Sequence, residues 1–228
     1  MHKGAKEVKI CAALFDLDGT LLDSMGMWAG VDERFLQKRG IAVPKDYQDA
    51  VSVMRMHEAS RYTISRFSLR ESPEAIEKEW LDMARDEYAY HIELKPYAAE
   101  YLHMLHAHGI KLGVVTSNVG ELYEPLLRRC GIDGLFTACT SAHEVARGKA
   151  FPDAYLLAAD RLSAKPDTCI MYDDMPQALI GAKAAGMYTV GVLDSTDVEH
   201  RRELMRAADR CIESFDEELH AQPPLYAQ

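Results

Sequence analysis

A chain of 228 residues with 48% hydrophobic and 27% charged residues suits one sizeable core with an accessory piece, or two small domains. Its net charge of −10 argues against a nucleic-acid partner, whose phosphates need clustered Lys and Arg, and no apolar run approaches the ~20 residues of a membrane span. The basic start leads only into a brief apolar run ending in acids, a poor signal peptide, and five scattered cysteines without CxxC spacing read as reduced thiols. A cytoplasmic chain is therefore expected, with no feature that sets an oligomeric state.

The first predicted strand, VKICAALFD at 8–16, delivers Asp16 and Asp18 into the Gly-Thr turn of LFDLDGTLLD. Carboxylates at the end of an apolar strand are costly unless something pairs with them. From Met25 to Ile92 no strand is predicted. Four helical stretches fill the interval: MWAGVDERFLQKRG, PKDYQDAVSVM, HEASRYTISRFSL and SPEAIEKEWLDMARDEYAYH, the last with Ser72 as N-cap and Pro73 at its first position. Beyond them strands at 110–118, 134–141, 167–174 and 187–194 alternate with helices at 97–108, 120–130, 152–162 and 176–185. Gly109, Gly131 and Gly186 close three of those helices in the manner of left-handed caps. The strands are mostly apolar rather than alternating, as expected where both faces are covered.

The fold class expected is α/β: a doubly wound, Rossmann-like parallel sheet with an inserted all-helical cap domain. Residues 1–24 and 93–228 form a discontinuous core, and 25–92 form the cap, inserted where it is placed to cover the strand ends. Ligands of such sheets bind at those carboxyl ends.

The strand ends carry the chemistry. Thr116-Ser117-Asn118 precedes a helix, where backbone N–H groups can hold an anion; Lys149 precedes the next helix; Asp173-Asp174 precedes a third. Singly, these residues read as turn formers, an N-cap and a surface charge. Together they bring acid, hydroxyl, base and acid to one sheet edge.

That combination resembles the haloacid dehalogenase superfamily of phosphotransfer enzymes in four motifs: DLDGT at 16–20, VVTSN at 114–118, Lys149 in GKAFPDAY, and the Asp pair in MYDDMPQALIGAKAAGM. The helical insert is similar to the smaller cap of β-phosphoglucomutase-like members. The resemblance implies a Mg²⁺-dependent phosphatase that hydrolyses a small phosphorylated metabolite, such as a sugar phosphate or phosphoglycolate, through an aspartyl-phosphate. It implies Asp16 as nucleophile and Asp18 as acid–base. It implies Mg²⁺ held by Asp16, the Asp18 carbonyl and Asp174, with Asp173 as direct ligand or support. It implies Lys149 as the neutralising charge, and Thr116, Ser117 and Asn118 around the phosphoryl group. An acid at Asp18 sets the chain apart from haloalkanoate dehalogenases, which have no alkoxide to protonate. Trp28 stands where β-phosphoglucomutase has a regulating histidine, and His57 falls where that branch has a phosphate-holding arginine, with Arg55 and Arg61 nearby. Hydrolysis is thus expected ahead of mutase chemistry, and both ahead of a non-catalytic binding protein. Arg55, His57 and Trp28 are the expected substrate contacts from the insert.

Overall fold

The computed structural model describes residues 10–52, 54, 56–194 and 197–221. They fall into two compact units, one holding the described residues of Met1–Asp23 and Glu93–Gln228, the other Ser24–Ile92. Among the described residues no helix is long and apolar enough to cross a membrane.

The smaller unit is all helical: α1 (Met25–Gln37), α2 (Lys45–Ser52), α3 (Met56–Phe67) and α4 (Pro73–Tyr90). Ser72 caps α4, its hydroxyl accepting the Ala75 N–H at 3.3 Å, and Pro73 follows where its missing N–H costs nothing. Helices α1 and α4 are in contact, each with a buried face (Val31 and Phe35 on α1; Ile76, Trp80, Ala84 and Tyr88 on α4), and Phe35 lies edge-on to Trp80 at 5.4 Å. Arg39 lies over the Phe35 ring and pairs with both Glu71 and Glu79, so its stem and its charge are both used.

The larger unit is built on β1 (Ala12–Phe15), β2 (Lys111–Thr116), β3 (Phe136–Ser141), β4 (Cys169–Asp173), β5 (Tyr188–Val192) and β6 (Arg210–Ile212). They pair in parallel in the order β3-β2-β1-β4-β5-β6. Helices α5 (Ala98–Ala107), α6 (Gly120–Arg129), α7 (Asp153–Arg161), α8 (Pro176–Ala184), α9 (Val198–Ala207) and α10 (Asp216–Leu219) complete the unit. Every residue of β1 and β4 is buried, which is why these strands read as unbroken apolar runs. The doubly wound architecture expected from the sequence is the observed one. The sequence reading passed over β6, α9 and α10: a three-residue strand reading Arg-Cys-Ile is too short for any periodicity to register.

Strand order reverses between β1 and β4, and this switch point positions the site. In the parallel register Phe15 sits beside Tyr172, and their rings stack at 4.8 Å, 8° from parallel. The Tyr172 hydroxyl meets that of Tyr101 on α5 at 2.6 Å. The next residue of each strand is therefore an aspartate, side by side above a rigid aromatic floor. Past β1 the chain turns at once, with Gly19 at φ 75°, a conformation that favours glycine. The two connections at the unit's edge run antiparallel, Asp23 N–H donating to Glu93 O at 3.0 Å and Lys95 N–H to Leu21 O at 2.9 Å.

Candidate active site

Asp16 follows β1, and its N–H donates to Tyr172 O at 2.9 Å, carrying the sheet ladder one residue further. Asp173 ends β4 and Asp174 follows it, just before α8. All three carboxylates are buried, with one oxygen from each lying within 4.8 Å of the others. The Lys149 ammonium enters from the loop before α7, 2.8 Å from Asp16 Oδ1 and 2.5 Å from Asp173 Oδ2. Asp173 Oδ1 accepts the Met175 N–H at 2.9 Å, and Thr20 Oγ1 donates to Asp174 Oδ1 at 3.3 Å.

Three buried carboxylates against one ammonium leave two negative charges uncompensated. Burial pushes the Asp16 carboxyl well up, against the pull of Lys149, and Asp173, Asp174 and Asp18 add to the rise. Burial likewise pushes Asp174 up to about 7, with Asp173 next in effect. Burial alone would lower the Lys149 ammonium, but Asp16 and Asp173 hold it well above the usual lysine value. A hard divalent cation is the group that such an all-oxygen, over-negative cluster fits. The buried aspartate cluster is thus a candidate metal centre.

The sign of the resulting pH dependence follows. The folded value of Asp174 lies above that of an unfolded carboxylate, so its contribution to stability is full only below the unfolded value of 3.8, declines as pH rises from there, and is exhausted above about 7. The metal-free protein is expected to melt at progressively lower temperature across that window, Asp174→Asn to flatten the slope, and a divalent cation to raise the melting temperature more at about pH 8 than at about pH 5.5. Thermal melts over a pH series check this. A metal-free profile that rises towards pH 8 would contradict it.

Two residues beyond Asp16, Asp18 receives the Asn118 amide, Nδ2 lying 2.8 Å from Asp18 Oδ2. Thr116, buried at the end of β2, accepts the Asn118 N–H at 3.0 Å. Ser117 is exposed, and its carbonyl is hydrogen-bonded to His143 Nε2 at 3.0 Å. The structure thus brings Asp16, Lys149, Asp173 and Asp174 together, and links Asp18, Thr116 and Asn118 by hydrogen bonds. Trp28, half-buried on α1, and His57, exposed on α3, belong to the helical unit, where His57 Nδ1 lies 2.8 Å from Glu77. Arg55 lies outside the described residues.

Four supports went unread in the sequence. Thr20 holds Asp174, and His200 on α9 donates from Nε2 to the Asp174 carbonyl at 2.9 Å. Tyr155 donates its hydroxyl to the Lys149 carbonyl at 2.9 Å. Gly181 on α8 abuts the same carbonyl, where an added Cβ would come within 2.2 Å of the oxygen. Only glycine lets α8 pass behind the lysine. Of these, Thr20 had a visible signal, since it belongs to DLDGT.

A parallel sheet presenting aspartates and a lysine around one point at its switch point defines an α/β protein with a carboxylate-based candidate centre. The family model described as haloacid dehalogenase-like hydrolase matches residues 13–192, and the chain belongs to that family. Phosphoglycolate phosphatase of Salmonella paratyphi A is 31% identical over 199 residues, covering 78% of this chain and 79% of that one. Validoxylamine A 7'-phosphate phosphatase of Streptomyces hygroscopicus subsp. limoneus is 28% identical over 187 residues, covering 82% and 87%. A solved β-phosphoglucomutase from Clostridium difficile superposes with a TM-score of 0.73 at 20% identity over 91% of this chain and 92% of that one, a likeness of fold. The chain is an enzyme of the phosphatase branch, a phosphoric monoester hydrolase.

Proposed function

We propose that the enzyme is a Mg²⁺-dependent phosphatase of small phosphorylated metabolites, sugar phosphates or phosphoglycolate-like esters, working in a cytoplasm through an aspartyl-phosphate. The observation that carries this reading is the buried triad of Asp16, Asp173 and Asp174 with Lys149 inserted between Asp16 and Asp173. The named substrates of the phosphatase relatives support the substrate class, and five free thiols support a reducing compartment.

In this reading Asp16 attacks phosphorus while the bond to the leaving oxygen breaks, and Asp18 protonates that oxygen. Asp18 then takes a proton from the water that opens the aspartyl-phosphate. Lys149 offsets the charge on Asp16 and on the incoming ester. The Thr116 oxygen already accepts the Asn118 N–H, so its own O–H is the group that donates to the phosphoryl group, beside Ser117. Asp16, Asp174 and the Asp18 carbonyl would hold Mg²⁺. When bound, it supplies positive charge that offsets repulsion between a carboxylate nucleophile and a phosphate. Asp173 spends Oδ2 on Lys149 and Oδ1 on Met175, which favours support of the centre over direct ligation.

Trp28 cannot shuttle a proton as the histidine of the mutase branch does, and this supports hydrolysis over transfer. The test is a Mg²⁺-dependent screen of phosphometabolites that follows phosphate release, with one arm primed by a sugar bisphosphate to reveal isomerised product. Phosphate release without isomerisation is the expected result. No metal-dependent turnover across the panel would overturn the reading, and isomerisation outrunning release would replace it with mutase chemistry.

A further inference from the structure

We infer that Asn118 is the positioning residue of the acid–base carboxylate, its side-chain amide tethering Asp18 through Oδ2; this rests on the proposed phosphatase reading. Asn118 Nδ2 donates to Asp18 Oδ2 at 2.8 Å, while Asn118 Oδ1 accepts the Val119 N–H, also at 2.8 Å. These two contacts fix the sense of the amide. Flipped, it would set its NH₂ against a backbone N–H and its oxygen against a carboxylate.

The amide is itself firmly seated. Asn118 N–H donates to Thr116 Oγ1 at 3.0 Å, and Thr116 is buried at the end of β2, a central strand. The preceding carbonyl, that of Ser117, is held by His143, whose short helical turn is closed by a reciprocal cap between Ser141 and Glu144. Register therefore passes from the sheet to Asp18 through hydrogen bonds at each step.

An aspartate in a loop has two side-chain torsions to place one oxygen. Tethering Oδ2 removes most of that freedom. In the first step the Asp16–phosphorus bond forms, the bond to the leaving oxygen breaks, and that oxygen takes the proton from the Asp18 carboxyl. In the second step water oxygen bonds to phosphorus, the Asp16–phosphorus bond breaks, and the water proton goes to the Asp18 carboxylate. General acid–base catalysis contributes about 10²–10⁴-fold, and loss of alignment without loss of the acid should forfeit about 10–100-fold of it. A residue that only bound the phosphoryl group would affect every ester equally.

Aryl phosphates separate the two roles, because a leaving group that is already a stable anion needs no proton. The value of kcat/KM also stops at the first irreversible step, so the water step does not enter. Asn118→Ala is expected to lower kcat/KM for phenyl phosphate by about 10–100-fold and for dinitrophenyl phosphate by less than about threefold, with nitrophenyl phosphate between them and inhibition by inorganic phosphate unchanged. Asn118→Asp preserves shape and the acceptor for Val119 but replaces the donor with a carboxylate. It should show the same selectivity at least as strongly, and carries the test should the alanine variant not fold. Equal losses across the three esters would overturn the positioning role and assign Asn118 to the phosphoryl cradle. Wild type without metal-dependent turnover, or Asp16→Asn with normal turnover, would overturn the underlying phosphatase reading and this role with it.

Discussion

Asp16→Asn is expected to lower metal-dependent turnover by about 10⁴-fold or more while leaving the protein folded, the scale seen when a covalent nucleophile is removed. The amide keeps the shape of the carboxylate but is a poor nucleophile. The substitution should not unfold the protein, because ionised Asp16 is the costly state: burial raises its carboxyl well above the ordinary range even beside Lys149. A neutral amide there relieves the excess of negative charge, and Lys149 keeps Asp173 as a partner at 2.5 Å. In the absence of metal the variant should therefore melt no lower than wild type at about pH 8. Rapid-quench mass spectrometry should show a phosphoryl adduct on wild type and none on the variant. Near-normal turnover by the variant would dispose of the covalent mechanism, whatever its melting temperature.

How much of this was legible beforehand depends on the range of the interactions concerned. Strands β1, β2, β4 and β5 are buried along nearly their whole length, so their apolar runs stand out locally, whereas β3 lies at the sheet edge and is only partly buried; the glycines after three of the helices mark their ends. Asp16, Lys149 and Asp174 were legible because each directly follows a strand or precedes a helix of a parallel sheet, whose carboxyl edge is a single place. Contacts between residues far apart in the chain were not legible. Gly181 is needed because of a carbonyl on Lys149, and His200 meets a carbonyl on Asp174 across 26 positions. Neither residue type announces such a partner. Asn118 is the intermediate case: its place before α6 suggested an anion site, but the direction of its amide was set by Val119 on one side and Asp18 on the other.

Lys149→Met is expected to separate stability from catalysis at the same centre. The lysine side chain is 12% exposed, and its two partners, Asp16 and Asp173, are 9% and 0% exposed. Removing one member of a buried ion pair typically costs about 3–5 kcal/mol, because the abandoned charges remain buried. That loss should appear in metal-free urea melts at about pH 8 and shrink towards about pH 5.5, since carboxyls with raised folded values become protonated there and need no counter-ion. Mg²⁺ should return part of the stability by occupying the same negative cluster. It should not return the rate. With metal saturating, turnover should stay about 10²–10³-fold below wild type, the scale of losing one preorganised charge at a reacting centre. The double variant Lys149→Met/Asp173→Asn sharpens the distinction: it removes one ammonium and one carboxylate together, so stability should recover while turnover does not. Unchanged metal-free stability of Lys149→Met at about pH 8 would show that the ammonium does not offset the buried carboxylates. Recovery of full turnover with Mg²⁺ alone would show that its charge plays no part in the chemistry.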